Sequence, residues 1–319
     1  MSNILIVGAA GRMGKWFFDY FINLRKEQSE DRDLIKKTIK VEKIFLVDPN
    51  KVEYFDISED LNVYTSKSIT KFVEDSNIII LCTPIKETLK ILDRYTIKFR
   101  PGTTTIEISS VKNPIYDYIS NTSQKYSSLR FLCIHPMFGP GAQVSSSKNI
   151  IMHVPLSLSG IRKESRILRR LFPKFQKFLI DTPEKHDILV AVLISLIYFI
   201  NLVFSKLLIE ISTNKTLKNE KDLLRLLKQL SGSSYRIQSL LSESILTDDA
   251  PLFLNLFLGS DKSIELINKY GKIYGRVAKK VEQKDEKYLE NLVINTKKNI
   301  KNQIDIDYSY ELLYRFLNN

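Results

Sequence analysis

Cysteine and histidine are scarce, at two and three residues in a chain of 319. Cys82 and Cys133 lie in apolar, strand-like runs, too few for a disulfide framework, and three scattered histidines complete no zinc-ligand spacing. Both thiols are therefore read as buried and free, and no metal is expected. Glycine and proline number only 11 and 10, which excludes collagen-like and low-complexity chains and makes the places where they cluster informative. Charged residues make up 26% against 44% hydrophobic ones, so the chain lacks the charge excess of a disordered protein. A net charge of +12 suits nucleic acid, an anionic surface or small anionic ligands, and composition does not choose among them. The lysines, however, are spread in pairs such as Lys36-Lys37, Lys279-Lys280 and Lys297-Lys298, without the interleaved aromatics of a base-stacking platform. No nucleic-acid partner is expected.

The chain is long enough for two cores, and its pattern changes once. Residues 1–14 show no basic region ahead of an apolar stretch and pass directly into a strand and a glycine loop, which reads as a cytoplasmic protein without a signal peptide. Strand-like runs at Asn3 to Val7, Ile44 to Val47, Asn77 to Cys82, Thr104 to Ile108, Phe131 to Ile134, Ile150 to Val154 and Phe178 to Ile180 are separated by helical spacings. The clearest of these are Trp16, Phe17, Tyr20, Phe21 and Leu24, then Lys86 to Tyr95 and Lys163 to Leu171. Such alternation predicts a parallel sheet. Residues 27–43 read as a helix end and a charged surface insertion. After Thr182 strand runs cease, so an α/β Rossmann domain is expected over 1–182 and an all-helical domain over 183–319. Thr182-Pro183 has the form of an N-cap with proline at the first helical position, opening a helix to about Ile211. From Ile188 to Ser205 there is no charge, which reaches the lower threshold for a membrane span. Ser195, Asn201 and the soluble helices that follow favour a helix buried at the centre of a domain or dimer, with no membrane.

Gly8-Ala9-Ala10-Gly11-Arg12-Met13-Gly14 is the first string that carries chemistry. Glycines here let the chain turn tightly and bring backbone amides to a pyrophosphate at the positive end of the next helix. The following strand ends on Asp48, whose carboxylate can accept both hydroxyls of an adenine ribose and would repel a 2′-phosphate, so NAD is expected over NADP. Asp48 lies 34 residues after Gly14, a long interval that requires residues 27–43 to loop out. Candidate cofactor contacts are Gly8, Ala10, Gly11, Arg12, Met13, Gly14 and Asp48, with Cys82, Thr83 and Pro84 where the next strand ends.

The second string is Ile134-His135-Pro136-Met137-Phe138-Gly139-Pro140. A histidine leaving an apolar strand on a Pro/Gly-stiffened loop, at the cofactor-facing edge of such a sheet, is placed to act as a general base; the bland alternative is a structural hydrogen-bonder. Together with Glu107-Ile108-Ser109-Ser110-Val111-Lys112 upstream, Glu184-Lys185-His186-Asp187 at the opening of the helical half, and Ser233-Ser234-Tyr235-Arg236 beyond it, the chain resembles the prephenate dehydrogenase family of tyrosine biosynthesis. The resemblance runs from about Asn3 to Lys298.

It implies NAD-dependent oxidative decarboxylation of prephenate to 4-hydroxyphenylpyruvate, with His135 accepting the ring hydroxyl proton and Ser110 orienting hydroxyl, histidine or nicotinamide. Arg236 would bind a substrate carboxylate, to which a guanidinium fork is matched, and Lys112 would assist with the anion. His186 is read as a packing or capping residue, and His153 as a strand residue. Members of the family it resembles often carry glycine at Ser109 and aspartate at Glu107, and some carry a polar histidine or glutamine on the long helix at the position of Tyr198, which is taken as a substrate contact through its hydroxyl. A homodimer joined through the helical domains is expected. Arogenate dehydrogenase chemistry and a non-catalytic NAD-binding regulator are the alternatives.

Overall fold

The computed structural model describes residues 2–52, 62–113, 115–212 and 223–318. Its N-terminal unit is built on β1 (Ser2–Val7), α1 (Arg12–Glu30), α2 (Arg32–Lys37), β2 (Val41–Val47), β3 (Val63–Ser66), β4 (Ile78–Leu81), α3 (Ile85–Tyr95), β5 (Thr104–Glu107), α4 (Ile115–Lys125), β6 (Arg130–Pro136), β7 (Ile150–Val154), α5 (Ile161–Leu171) and β8 (Gln176–Leu179). The eight strands form one sheet in the order β3-β2-β1-β4-β5-β6-β7-β8. The first six run parallel, β7 turns antiparallel to β6, and β8 lies parallel to β7. The order reverses between β1 and β4, which is where a doubly wound sheet opens the crevice that takes a ligand.

Both faces of this sheet are covered, so its central strands read as unbroken apolar runs such as Ile78-Ile79-Ile80-Leu81, all buried. Helix α1 packs through the periodic face anticipated from sequence. Trp16, Phe17, Tyr20, Phe21 and Leu24 are all buried, and Tyr20 donates from its hydroxyl to the carbonyl of Leu171 at 2.7 Å. Residues 27–43 hold the end of α1 and the short helix α2, which Asp31 caps through its side chain. Buried Gln28 ties that segment down by donating to Thr38 Oγ1 at 2.8 Å, so the insertion is fastened at its base.

Beyond β8 the chain is helical: α6 (Pro183–Val190), a π-helical turn (Ala191–Ser195), α7 (Leu196–Ser212), α8 (Leu223–Gln229), α9 (Ser233–Ile245), α10 (Ala250–Leu258), α11 (Asp261–Glu282), α12 (Glu286–Lys301) and α13 (Ile306–Asn318). Thr182 caps α6 by accepting from the Lys185 N–H. The run Pro183–Ser212 is long and apolar enough to cross a bilayer. Within one chain it is not buried all round as the sequence suggested, since Leu193 is 52% and Val203 51% exposed. Its polar residues face inward: Asn201 Oδ1 accepts from Gln238 Nε2 at 2.8 Å and Ser242 Oγ at 2.7 Å, and Ser195 accepts from Ser263 at 3.0 Å.

The two compact units divide between Asp187 and Ile188, five residues beyond Thr182. The cause is specific: His186 and Asp187, in the first turns of α6, bond to β6 and to residues 112–113 and so belong to the sheet unit.

Candidate active site

The glycine loop leaves β1 at the reversal point. Gly8 adopts φ +83°, and a Cβ there would come within 2.4 Å of the Cys82 carbonyl oxygen. A Cβ on Gly14 would meet the Gly8 carbonyl at 2.2 Å, so both positions require glycine for the loop to pass between β4 and α1. Helix α1 starts at Arg12 with no side-chain cap and no acid in its first turn, which leaves its positive end available to an anion. Asp48, buried at the end of β2, accepts from the Ala10 N–H at 3.1 Å and from the Asn50 N–H at 2.9 Å. Its carboxylate thereby fixes the loop to β2 and retains lone pairs for a diol. Cys82, Thr83 and Pro84 follow β4 into α3, where Thr83 and Thr88 share a hydroxyl bond of 2.8 Å. These residues fit the dinucleotide cradle that the sequence suggested.

His135 stands within β6 and is paired with Met152 of β7, one step earlier than the loop position expected from sequence. The antiparallel pairing extends the strand through Pro136 and holds the backbone of the histidine. The loop beyond is anchored by Phe138, whose ring centroid lies 4.6 Å from that of Trp16, while Trp16 Nε1 donates to the Ala142 carbonyl at 2.7 Å. Strands β5 and β6 run in register with Glu107 opposite Cys133, so Ser110 and His135 leave neighbouring strand ends. Ser109 has a buried hydroxyl with no partner among the described residues, an orphan of the kind a ligand satisfies.

His135 is 4% exposed, and its Nδ1 lies 3.1 Å from Nε2 of His186. His186 Nδ1 in turn lies 2.8 Å from Asp187 Oδ1. Burial, with the neighbouring His186 and Lys112, holds the His135 pKa well below the ordinary histidine value. The ring is therefore neutral at physiological pH and able to accept a proton. His186 is shifted the same way by burial, against the pull of Asp187.

Lys112 is not a substrate ligand. It is fully buried, and its ammonium donates to Glu107 Oε2 at 2.7 Å, to the Ser109 carbonyl at 3.0 Å and to the Ile134 carbonyl at 2.6 Å. All three donors are committed, so nothing remains for a substrate carboxylate. Glu107 also accepts from the Ser109 N–H. The pair joins the end of β5 to the carbonyl immediately before His135.

In the helical unit, exposed Arg236 lies on α9 and lines a cavity of about 390 Å³ with Lys228, Ser239, Glu243 and Phe316. Tyr198 donates its hydroxyl proton to Asp248 Oδ2 at 2.7 Å, so the single hydrogen bond expected toward substrate is already made within this unit. The sequence reading missed His186, Asp187 and Glu107 as site residues. The signal for the first two was present, as an adjacent His-Asp at a helix start, but nothing local linked it to a strand 51 residues away.

Residues 32–154 match the family model described as prephenate dehydrogenase, nucleotide-binding domain. A probable arogenate/prephenate dehydrogenase of Methanocaldococcus jannaschii is 22% identical over 198 residues, 61% of this chain. That match spans 40% of the relative's length. Prephenate dehydrogenase of Aquifex aeolicus superposes with a TM-score of 0.66 at 18% identity, over 94% of this chain and 100% of the other. Synechocystis arogenate dehydrogenase does so with a TM-score of 0.59 at 17% identity, over 95% and 100%. At these identities the structural likeness speaks for the fold, a Rossmann domain followed by a helical one.

Proposed function

We propose that this chain, whose residues 32–154 match the nucleotide-binding domain of prephenate dehydrogenases, is an NAD-dependent enzyme of tyrosine biosynthesis that oxidatively decarboxylates prephenate to 4-hydroxyphenylpyruvate. The observation that carries the reading is a buried, neutral histidine at the end of β6, backed by His186 and Asp187, on the sheet edge that bears the glycine cradle. An Aquifex aeolicus relative was solved with hydroxyphenyl propionate and NAD+, which supports an aromatic carboxylate and NAD as the ligand classes.

NAD, when bound by Gly8, Ala10, Gly11, Arg12, Met13, Gly14 and Asp48 and flanked by Cys82, Thr83 and Pro84, supplies the acceptor for the hydride of ring C4. His135 takes the C4 hydroxyl proton as that carbon becomes a carbonyl. The carboxylate on the opposite ring carbon then departs as carbon dioxide, and its bonding pair makes the ring aromatic. Charge balance returns one proton to the phenolate oxygen, so His135 serves first as base and then as acid. Ser110 orients the hydroxyl, and Arg236 holds a substrate carboxylate.

Purified protein offered prephenate and arogenate separately tests this by NADH absorbance. Turnover of prephenate is the expected result. Turnover of arogenate alone moves the assignment to arogenate dehydrogenase, the reading favoured by the Synechocystis likeness. Absence of NADH with both leaves a nucleotide-binding protein without this chemistry. In the same assay NAD is expected to be strongly preferred to NADP, and Asp48→Ala to weaken NAD while relaxing rejection of NADP; equal use of both by the unmodified protein refutes the role of Asp48.

The enzyme works as a cytoplasmic homodimer joined through the helical unit. Val203, Leu254 and Leu258 stand 51%, 58% and 67% exposed in a single chain, apolar side chains of the kind a two-fold interface buries. Light scattering of protein released from broken cells without detergent should give twice the 37.0 kDa of one chain. A monomer at micromolar concentration refutes the dimer, and recovery only in detergent transfers the helix Pro183–Ser212 to a membrane.

A further inference from the structure

We propose that His186 and Asp187 form a relay that fixes which nitrogen of His135 carries its proton, leaving Nε2 as the basic atom. Asp187 Oδ1 accepts from the backbone N–H of Lys112 at 2.9 Å, and Oδ2 accepts from that of Asn113 at 3.2 Å. Backbone N–H groups are obligate donors, so a carboxyl that receives two of them is held as an acceptor. His186 Nδ1, 2.8 Å from the same Oδ1, must therefore bear hydrogen and donate. A neutral imidazole has one donor and one acceptor, which makes His186 Nε2 the acceptor. It faces His135 Nδ1 at 3.1 Å, and that nitrogen is left no role but donor. The lone pair of neutral His135 then resides on Nε2, which has no hydrogen-bond partner among the described residues.

The groups around the two rings agree with this assignment. Lys112 disfavours a cation on either ring, while Asp187 favours one on His186; burial decides the balance, and His186 stays neutral. A protonated His186 would present Nε2–H to His135 and force the opposite tautomer, closing the basic site. When Nε2 of His135 accepts the substrate proton, the new positive charge is shared through Nδ1–H and His186 with the Asp187 carboxylate. The relay thus supports the imidazolium without placing a carboxylate against the ring. Lys112 and Asn113 tie Asp187 to the segment that follows Ser110, so the same contacts set the relay's distance from the end of β5.

The inference rests on the dehydrogenase reading for the identity of the proton donor, but not for the tautomer. Ring-nitrogen NMR of the ¹⁵N-histidine-labelled protein without ligands tests it directly, because only three histidines are present. The expected spectrum shows His135 with Nδ1 protonated and Nε2 bare. His186→Phe removes the acceptor and should move His135 toward the Nε2–H form preferred by free imidazole side chains, with turnover falling roughly 10²-fold. His186→Gln, whose carbonyl can accept from Nδ1–H, should restore the tautomer and most of the turnover. An Nε2–H tautomer in the unmodified protein overturns the relay even if prephenate is oxidised. Equal tautomer populations and equal turnover in the Phe and Gln variants overturn it as well. The expected tautomer without turnover of either substrate upholds the relay and refutes the proposed reaction instead. Should His186→Phe fail to fold, the spectrum of the unmodified protein still decides.

Discussion

His135→Asn should lower turnover roughly 10²- to 10⁴-fold, the range a lost general base costs, while NAD affinity and melting temperature change little. The side-chain amide of asparagine reaches about as far as Nδ1 of the imidazole and can donate to His186 as Nδ1 does, so the buried contact at 3.1 Å survives. What disappears is Nε2, the atom with the free lone pair. The acid limb of the unmodified enzyme follows from the same environment. Burial, then His186, then Lys112 push the His135 pKa below the ordinary value, so its base form persists under mild acid. Turnover per unit NAD should therefore begin to fall only below about pH 6.5, the unperturbed histidine pKa. Stability has the matching sign. His135 and His186 both have depressed pKa values in the folded chain, so the unfolded chain binds their protons first. Their contribution is present above about pH 6.5 and is lost as pH falls from there through the lower folded values. A variant with near-normal turnover, or an acid limb above pH 6.5, removes His135 as the base.

The sheet was legible where its central strands are buried on both faces and therefore continuous in apolar residues. Ile150–Val154 was placed without error, and Thr104–Glu107 within one residue. Strand β3 escaped because Val63-Tyr64-Thr65-Ser66 is short and lies at the sheet edge, where Tyr64 and Thr65 face solvent. Helix α4 escaped because Ile115–Lys125 is mostly polar and buries only Ile115, Ile119 and Thr122. The same division runs through the site. Gly8, Gly14, Asp48 and His135 belong to local strings whose spacing carries meaning. The partners that give His135 its chemistry do not. His186 reaches it across 51 residues and Asp187 reaches Lys112 across 75, and an ion pair wholly inside the core leaves no mark that separates it from a solvated lysine near a glutamate. Lys112 is accordingly expected to assist with a substrate anion, yet it is among the most deeply buried side chains in the molecule.

That burial makes Lys112→Met a stability variant rather than a binding variant. Methionine keeps the length of the stem but strands the Glu107 carboxylate, whose side chain is 2% exposed, and removes a donor from the Ser109 and Ile134 carbonyls. Breaking a buried pair on one side costs about 3 to 5 kcal/mol, because the remaining charge is left without water or counter-charge. Against a total stability of about 5 to 15 kcal/mol, that is a large share. Burial already pushes the Glu107 pKa up, and the Lys112 ammonium opposes that push. Without the ammonium, the carboxyl is driven to take up a proton on folding. Glu107→Gln combined with Lys112→Met should recover much of the loss, since an amide needs no counter-charge. Urea unfolding of both singles and the double gives the coupling directly. A loss under about 1 kcal/mol for Lys112→Met, or a double variant whose loss equals the sum of the singles, contradicts the buried pair. Turnover adds the second discriminator. If Lys112 met a substrate carboxylate, the folded double variant would show a raised KM with kcat intact. A pair that instead spans the Ser109 and Ile134 carbonyls, each one residue before Ser110 and His135, predicts that kcat falls while KM holds.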